Sequence, residues 1–299
     1  MATMVDTVPG PKPAASQGDR QVQSTFDFSI NIVAYVVLSA VAVIMFIPFI
    51  FSVSTSLKTQ AEANKPLSLR GLFWPRDITW DAYSKVFDAN IDRWFLNSLL
   101  VAVIWVIARA VTASMAGYAF ARMQFFGRNV IFLLVLMTMM VPGMVTIVPK
   151  FLILRQLHLI NTYGALTIPF MADAFGIFLM KQFFESIPIE LEEAARVDGA
   201  SRYRMFVQVI LPNSMPALTA LAIFSFQGAW NAFLEPLIFI NNPDLYTLPL
   251  GLAYFRQQNY TEWPTLMAIA VITTIPMAIF YITFQRWFIE GQVSSGIKG

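Results

Sequence analysis

The chain contains 299 residues, of which 57% are hydrophobic and only 13% are charged, and its mean hydropathy is +0.61. A soluble domain cannot bury that much apolar surface, so lipid must be the solvent for much of the chain. The net charge of +2 excludes the strongly basic surface that nucleic acid binding needs. The absence of cysteine excludes disulfides, thiolate metal sites and cysteine nucleophiles.

The order of the apolar runs predicts six membrane-spanning helices. Residues 1–24 are rich in Pro, Gly, Ser and Gln without apolar periodicity, which predicts a disordered tail. A helix needs about 20 apolar residues to cross roughly 30 Å of hydrocarbon. Six runs are long enough, at 29–53, 94–121, 130–149, 162–184, 215–240 and 264–288. Because lipid offers no partners to unpaired backbone groups, we expect an all-α integral membrane protein.

The polar segment between the first two spans contains Trp80 and Tyr83 and is predicted to form short helices on one side of the membrane. The second span carries two rows of small residues at spacing four, which allow close helix packing inside a bundle. These rows are Ala108, Thr112 and Ala116, and Ala113, Gly117 and Ala121. In the third span Pro142-Gly143 predicts an interruption, and Pro169 lies in the fourth. Such breaks suit a flexible gate, but proline is also common in membrane helices without that purpose.

Arg109, Asp173 and Glu235 are ionisable residues that lie within the spans and away from their ends. Each should face protein or a watery cavity, because lipid exposure at mid-membrane costs about 3 kcal/mol. Two interpretations remain open: a structural charge that is satisfied by an ion pair or by backbone carbonyls, and the lining of a transport pathway.

The fifth span favours the pathway interpretation. Gln227, Asn231 and Glu235 recur at spacing four and would form a polar stripe on one face of a helix. Trp230 and Phe233 flank that stripe. Aromatic faces beside amides and a carboxylate suit a sugar, whose C–H faces stack and whose hydroxyls form hydrogen bonds.

The longest run of mixed charge between apolar segments lies in residues 185–213 and predicts two short helices joined at Asp198-Gly199. Three acids after Pro188 favour the start of the first helix, and Gly199 favours its end. Ser201 can cap the second helix, and Pro212 closes it. In that second helix four apolar residues at spacings of three and four should share a face: Tyr203, Phe206, Val207 and Ile210.

This module resembles the EAA motif of bacterial ABC-importer permease subunits. The matching residues are Glu193, Ala194, Ala195, Asp198, Gly199, Ala200, Phe206, Leu211 and Pro212. The resemblance implies a cytoplasmic coupling helix between spans four and five that docks into a groove on an ATPase subunit. With six spans, both termini would then also be cytoplasmic. The positive charges are divided almost evenly between the two sides, so orientation depends on the resemblance.

Further segments resemble the maltose-type permease group, so the likeness covers residues 25–299, the predicted permease domain. Asn97-Ser98-Leu99 with Ala119-Phe120-Ala121-Arg122 is similar to its second span, and Trp230-Asn231-Ala232-Phe233 with Glu235-Pro236-Leu237 to its fifth. The C-terminal tail at 289–299, with Glu290-Gly291-Gln292 and Lys298-Gly299, resembles the tail that reaches toward the ATPase dimer in that group.

The resemblance implies one of two paralogous permease subunits of a carbohydrate importer in a bacterial plasma membrane. Its partners would be a second permease, two ATPase subunits, identical or different, and an external substrate-binding protein. ATP and Mg²⁺ would bind to the ATPase subunits and no cofactor to this chain, which has no Walker A, HExxH or GxSxG pattern. We therefore expect no catalytic residues and no metal site.

The rival hypothesis is an ion-driven secondary transporter in which Asp173 or Glu235 carries the proton. A channel or membrane scaffold is a third possibility, although neither needs a coupling motif. Within the importer hypothesis the substrate remains a disaccharide, a longer oligosaccharide or a polyol phosphate, the last kept open by Arg109.

Overall fold

The computed structural model describes residues 17–66, 68–88, 90–258 and 262–296, and all regular secondary structure in these residues is helical. The α-helices in chain order are α1 Gln17–Ser56, α2 Gln60–Ala63, α3 Leu69–Phe73, α4 Asp81–Asp88, α5 Ile91–Arg122, α6 Arg128–Met139, α7 Gly143–Gln156, α8 Tyr163–Thr167, α9 Ala174–Ser186, α10 Glu190–Val197, α11 Arg202–Met205, α12 Leu211–Asn213, α13 Met215–Trp230, α14 Leu234–Phe239, α15 Leu248–Gln258 and α16 Trp263–Gly296. Single turns of other types are 3₁₀ at Ile168–Phe170, π at Phe206–Ile210 and 3₁₀ at Pro243–Leu245.

The chain divides into two units, Met1–Phe51 and Ser52–Gly299. In the described part of the first unit, α1 exposes apolar side chains from Ile32 to Ile50. An apolar surface of this kind needs lipid or another protein as its neighbour.

Helices α1 and α16 extend into the two terminal segments predicted to lie outside the spans. Because α1 begins at Gln17, residues 17–24 of the predicted disordered tail are helical, and residues 1–16 lie outside the described residues. Because α16 continues to Gly296, the predicted tail at 289–299 is helical through Gly296, and residues 297–299 lie outside the described residues.

Four helical stretches in the described residues are long and apolar enough to cross a membrane: Ile32–Ser56, Ile91–Arg122, Tyr163–Ser186 and Trp263–Gln285. Two bent pairs also qualify when each pair is taken as one span, α6 with α7 and Arg202–Asn213 with α13. Six spans result, which is the number predicted. The short helices predicted between the first two spans are α2, α3 and α4.

The predicted interruption at Pro142-Gly143 is confirmed, because α6 and α7 meet there at 102°. Pro142 has an extended backbone, with φ −58° and ψ 132°, directly before α7. Proline has no N–H for the helical ladder, and its ring collides with the carbonyl four residues earlier. The predicted end of this span at 149 is wrong, because α7 continues to Gln156.

The straight fifth span predicted at 215–240 is also wrong. Helix α13 ends at Trp230, and α14 begins only at Leu234. Pro236 supplies a local reason, because a helix continued through 232–236 would bring its ring against the carbonyl of Ala232. The polar residues of this segment consequently lie on two helices.

Helix α5 is the centre of the second unit and packs closely against α9 and α13. A Cβ placed on Gly117 would lie 2.8 Å from the Cβ of Met180 and 2.9 Å from the backbone nitrogen of Lys181. A Cβ placed on Gly176 would lie 3.2 Å from the Cβ of Ala113. The predicted small-residue row at 113, 117 and 121 is thus the place where the α5 and α9 backbones approach.

The N-terminal end of α5 binds the loop between α14 and α15. The amide of Asn97 donates to the carbonyls of Asp244 and Tyr246, at 2.9 Å each, and the hydroxyl of Ser98 accepts from the N–H of Leu248 at 2.7 Å. Asn97 in turn accepts from the hydroxyl of Tyr163 at 2.7 Å. The Asn97-Ser98 pair therefore satisfies backbone groups that the loop leaves unpaired.

At the same end of the unit, Lys85 on α4 pairs with Glu262 at 3.0 Å, just before α16 begins. The hydrogen bond from Lys85 holds the pKa of Glu262 below its usual value, and partial burial opposes that effect. Both side chains are substantially exposed, so the pair contributes little to stability.

We predict that Gly117→Val separates α5 from α9 and lowers the free energy of unfolding by about 1–3 kcal/mol, as overpacking does elsewhere. Gly143→Ala is the control, because a Cβ there meets no atom within 4 Å. Thermal unfolding of the purified protein in detergent measures both. Equal melting temperatures for the two variants would contradict the close approach.

Candidate functional sites: the 185–213 module and the polar face of the fifth span

The first helix of the module is α10. It begins two residues after Pro188 and carries three acids in its first turn, Glu190, Glu192 and Glu193, where the helix dipole favours negative charge. It ends before Gly199, whose φ of +78° is the left-handed conformation that glycine adopts at little cost. The predicted first helix and its glycine stop are therefore observed.

The second helix of the module is a composite that runs from Arg202 to Asn213. The Ser201 hydroxyl caps it by accepting from the N–H of Arg204 at 3.3 Å, as predicted. Its middle is the π turn Phe206–Ile210, and it ends one residue beyond Pro212. It then meets α13 at 77°.

The π turn changes which side chains face the core. Ile210 is fully buried, and the ring of Phe206 lies 5.0 Å from that of Tyr118. Tyr203 is 77% exposed and Val207 is 37% exposed. The common apolar face predicted for all four residues is wrong, because π-type hydrogen bonding shifts the register within the helix.

A buried ion pair attaches the module to the spans. Glu192 is 4% exposed and lies 2.9 Å from the Nε of Arg122 at the end of α5. The hydroxyl of Tyr118 donates to Glu192 at 3.3 Å. Arg122 also donates to the carbonyl of Phe184 at 2.7 Å and to that of Ile187, both at the end of α9. The sequence analysis did not predict this ion pair. The available signals were Arg122, which matches the permease group, and the three acids in the first turn of α10.

The motif residues divide between a surface face and an inner face. Glu193, Ala194, Asp198, Gly199 and Pro212 are exposed, whereas Ala195, Ala200 and Phe206 are half-buried. Apolar side chains accompany the exposed residues: Leu191 is 42% exposed and Val197 is 87% exposed. Exposed leucine and valine beside small residues are typical of a protein-binding surface.

Arg109 and Asp173 lie together, as the ion-pair interpretation predicts, with a separation of 4.0 Å. Arg109 also donates from Nε to the carbonyl of Phe170 at 2.9 Å and lies over the ring of Trp105 at 4.4 Å. Asp173 caps α9 by accepting from the N–H of Gly176 at 3.0 Å. Both residues thus support the break in the fourth span around the 3₁₀ turn.

The exposed polar face of the fifth span lies on α13. Gln227 and Asn231 are exposed there, together with Gly228 and with Phe224 one turn earlier. Their spacing of three and four places them on one side of the helix. Polar amides exposed on an apolar membrane helix need water, substrate or another subunit as their neighbour.

Two residues predicted for this face lie elsewhere. Glu235 is half-buried in the first turn of α14, so it does not extend the stripe of Gln227 and Asn231. Trp230 is 1% exposed and donates to the carbonyl of Thr273 at 3.0 Å, so it packs in the core and offers no ring face to a sugar. Phe233 is 39% exposed.

No group of three His, Cys, Asp or Glu side chains in the described ranges is arranged to hold a metal ion.

Residues 110–292 match the family described as binding-protein-dependent transport system inner membrane component. The match covers more than half of the chain, and the chain belongs to this family.

The chain is also similar to two named permeases. It is 37% identical over 230 residues to the arabinooligosaccharides transport system permease protein AraQ of Halalkalibacterium halodurans, covering 76% of this chain and 82% of that protein. It is 34% identical over 289 residues to the diacetylchitobiose uptake system permease protein NgcG of Streptomyces coelicolor, covering 95% and 91%.

Among solved structures, the chain matches one from a bacterial ABC transporter involved in the import of the acidic polysaccharide alginate. The TM-score is 0.76 at 26% identity, and the match covers 93% of this chain and 100% of the other. The all-α permease fold and the resemblance carried by the EAA motif are confirmed.

We predict that Arg109→Met lowers the free energy of unfolding by about 1.5–3 kcal/mol, because the carbonyl of Phe170 loses a charged donor inside the membrane. Asp173→Asn is the matched control, since asparagine can still cap α9 and the ion pair lost is long. In thermal unfolding, the melting temperature of Arg109→Met should be well below that of Asp173→Asn. The reverse order would show that the ion pair, and not the carbonyl bond, is the important contact.

Proposed function

We propose that this chain is one of two permease subunits of an ABC importer for a sugar or oligosaccharide, and that its 185–213 module docks on an ATPase subunit. The observation that carries this proposal is the exposed face of α10, where Glu193, Ala194 and Asp198 surround the turn at Gly199. Two similar permeases bear names with arabinooligosaccharides and diacetylchitobiose, which supports the carbohydrate class.

The proposed assembly contains a second permease, two ATPase subunits and an extracytoplasmic binding protein. The family description supports the binding protein. The exposed apolar surfaces of α1 and α7 suit lipid and a second permease. ATP and Mg²⁺ would bind to the ATPase subunits, since the chain has no Walker A sequence.

In this assembly the chain is a multi-pass protein of a bacterial plasma membrane. If the module faces the cytoplasm, both termini lie on that side as well, because four spans precede the module and two follow it when each bent pair counts as one span. ATP-driven closure of the ATPase subunits would move the module, and alternating access would follow from the movement of the attached spans.

The exposed face of α13 is the proposed contribution to the pathway. Gln227 and Asn231 can hydrogen-bond to sugar hydroxyls, and the neighbouring rings of Phe224 and Phe233 can stack on sugar C–H faces. The rival ion-driven mechanism loses one of its two candidate carboxylates, because Asp173 already caps α9 and faces Arg109.

Affinity purification of the tagged chain from its native membrane tests the proposal. We expect an ATPase with a Walker A motif and a second six-span permease to accompany it. Glu193→Lys places the wrong charge on the docking face, and Gly199→Pro forces a negative φ where +78° is needed. Both variants should reduce the ATPase recovered per permease by about tenfold or more, a loss of at least 1.4 kcal/mol of binding free energy.

Gln124→Lys is the control for added charge, because Gln124 is exposed in the turn after α5, at the same end of the unit as the module. Its ATPase recovery should equal that of the unsubstituted chain. Purification of the chain alone, in a preparation that still transports, would overturn the proposal.

A second prediction concerns the pathway. Gln227→Leu and Asn231→Leu remove the hydrogen-bonding amides and should slow uptake by about fivefold or more per assembled transporter, the loss expected for about 1 kcal/mol of hydrogen bonding. Trp230→Phe is the contrasting variant, since it removes a core hydrogen bond and should lower the amount of folded protein instead. Radiolabelled sugar uptake, normalised to permease in the membrane, separates the two effects. Unchanged uptake in both leucine variants would exclude this face from the pathway.

A further inference from the structure

The 185–213 module joins the fourth span through a joint that is not helical. Helix α9 ends at Ser186, and Ile187 has an extended backbone with φ −73° and ψ 130°. Pro188 follows and cannot donate to a helical ladder. A helix transmits rotation along its axis through continuous hydrogen bonds, and this joint interrupts them. Rotation of α10 is therefore not transmitted to α9 through a continuous helix.

Apolar contacts hold the second helix of the module against the spans. The ring of Phe206 lies 5.0 Å from Tyr118 and 6.5 Å from Phe184, and Ile210 is fully buried. Contacts of this kind stabilise a position but are non-directional. They also involve the second helix, whereas the exposed motif residues lie on α10 and its turn.

The directional contact between α10 and the spans is the Glu192 cluster. Glu192 lies 2.9 Å from Arg122, and the side chains are only 5% and 11% exposed. The planar guanidinium of Arg122 meets three partners at once: the Glu192 carboxylate and the carbonyls of Phe184 and Ile187. One side chain thereby joins the end of α5, the end of α9 and the first helix of the module.

The energetics of this cluster make it stiff. Both charges are out of water, so opening the pair would leave uncompensated charge in a medium of low dielectric constant. The Ile187 carbonyl lies at the end of α9, where a helix leaves carbonyls unpaired, and Arg122 satisfies it. Separation of α10 from α5 would thus break the ion pair and the hydrogen bond that Tyr118 donates to Glu192.

We propose that Glu192 is a positioning residue that transmits movement of the docked module to α5 and α9 through Arg122, so that ATP hydrolysis and substrate movement stay coupled. This inference rests on the proposed function. Glu193, its neighbour on α10, is exposed and would act at the ATPase surface instead. Adjacent glutamates on one helix therefore have different roles, one inward and one outward.

The test is a matched pair of isosteric substitutions, Glu192→Gln and Glu193→Gln, in the complete transporter reconstituted in liposomes. Sugar transported and ATP hydrolysed are measured in the same sample, and the ATPase recovered per permease is measured separately. For Glu192→Gln we expect normal ATPase recovery and a fall of about tenfold in sugar transported per ATP, the size of a typical coupling between sites. Glu193→Gln should instead reduce ATPase recovery.

Two milder variants provide a graded series. Arg122→Lys keeps the charge but cannot reach three partners in a plane, so its transport per ATP should be intermediate. Tyr118→Phe loses only the hydrogen bond at 3.3 Å and should remain within about twofold of the unsubstituted chain. If Glu192→Gln does not reach the membrane, Arg122→Lys decides the question.

The outcomes are distinguishable. Normal sugar transport per ATP in both Glu192→Gln and Arg122→Lys would overturn the inference while leaving the proposed function intact. A proportional loss of sugar transport and ATP hydrolysis, with their ratio unchanged, would assign Glu192 a merely structural role and also overturn it. Failure to recover an ATPase with the unsubstituted chain would instead contradict the proposed function.

Discussion

The fold depends on the satisfaction of backbone groups inside the membrane, and α5 supplies most of the partners. Lipid provides no hydrogen bonds, so every interruption of a spanning helix must be repaired by protein. At the break in the fourth span, Trp105, Arg109 and Thr112 donate to the carbonyls of residues 166, 170 and 171, at 2.8, 2.9 and 2.8 Å. These donors recur along one side of α5 at spacings of four and three, so a single helix face covers the whole break.

The two ends of α5 perform the same task. Asn97 and Ser98 bind the loop that follows α14, and Arg122 binds the carbonyls at the end of α9. Non-helical backbone in three places, the break in the fourth span, the loop after α14 and the end of α9, therefore finds its hydrogen-bond partners on α5. This arrangement also explains why the Arg122 end of α5 is the site to which the 185–213 module attaches: Arg122 offers charge as well as donors, and Glu192 supplies its counter-charge.

The exposed surfaces indicate which neighbours the chain needs in the membrane. Apolar α1, the face of α13 with Gln227 and Asn231, and the motif face of α10 each expose groups that a single chain leaves without neighbours. They differ in chemistry: one is purely apolar, one carries amides, and one combines small residues with acids. A lipid or permease neighbour, a sugar pathway and an ATPase surface fit these three chemistries respectively, and this agreement supports the proposed assembly.

The sequence by itself determined the elements whose causes are local. Apolar runs predicted six spans, Pro142 predicted a break, and Gly199 and Ser201 predicted the stop and cap of the module helices, because backbone restriction and capping act within a few residues. Pro236 was an equally local signal for the end of α13, but the polar spacing of Gln227, Asn231 and Glu235 outweighed it in the prediction. Only the tertiary structure decided which side of each helix faces the core. Glu192 and Glu193 are chemically identical neighbours, but Glu192 is buried against Arg122, whereas Glu193 is exposed. In the same way, contact with Thr273 turned Trp230 into a core residue, since helical periodicity defines faces but not their neighbours.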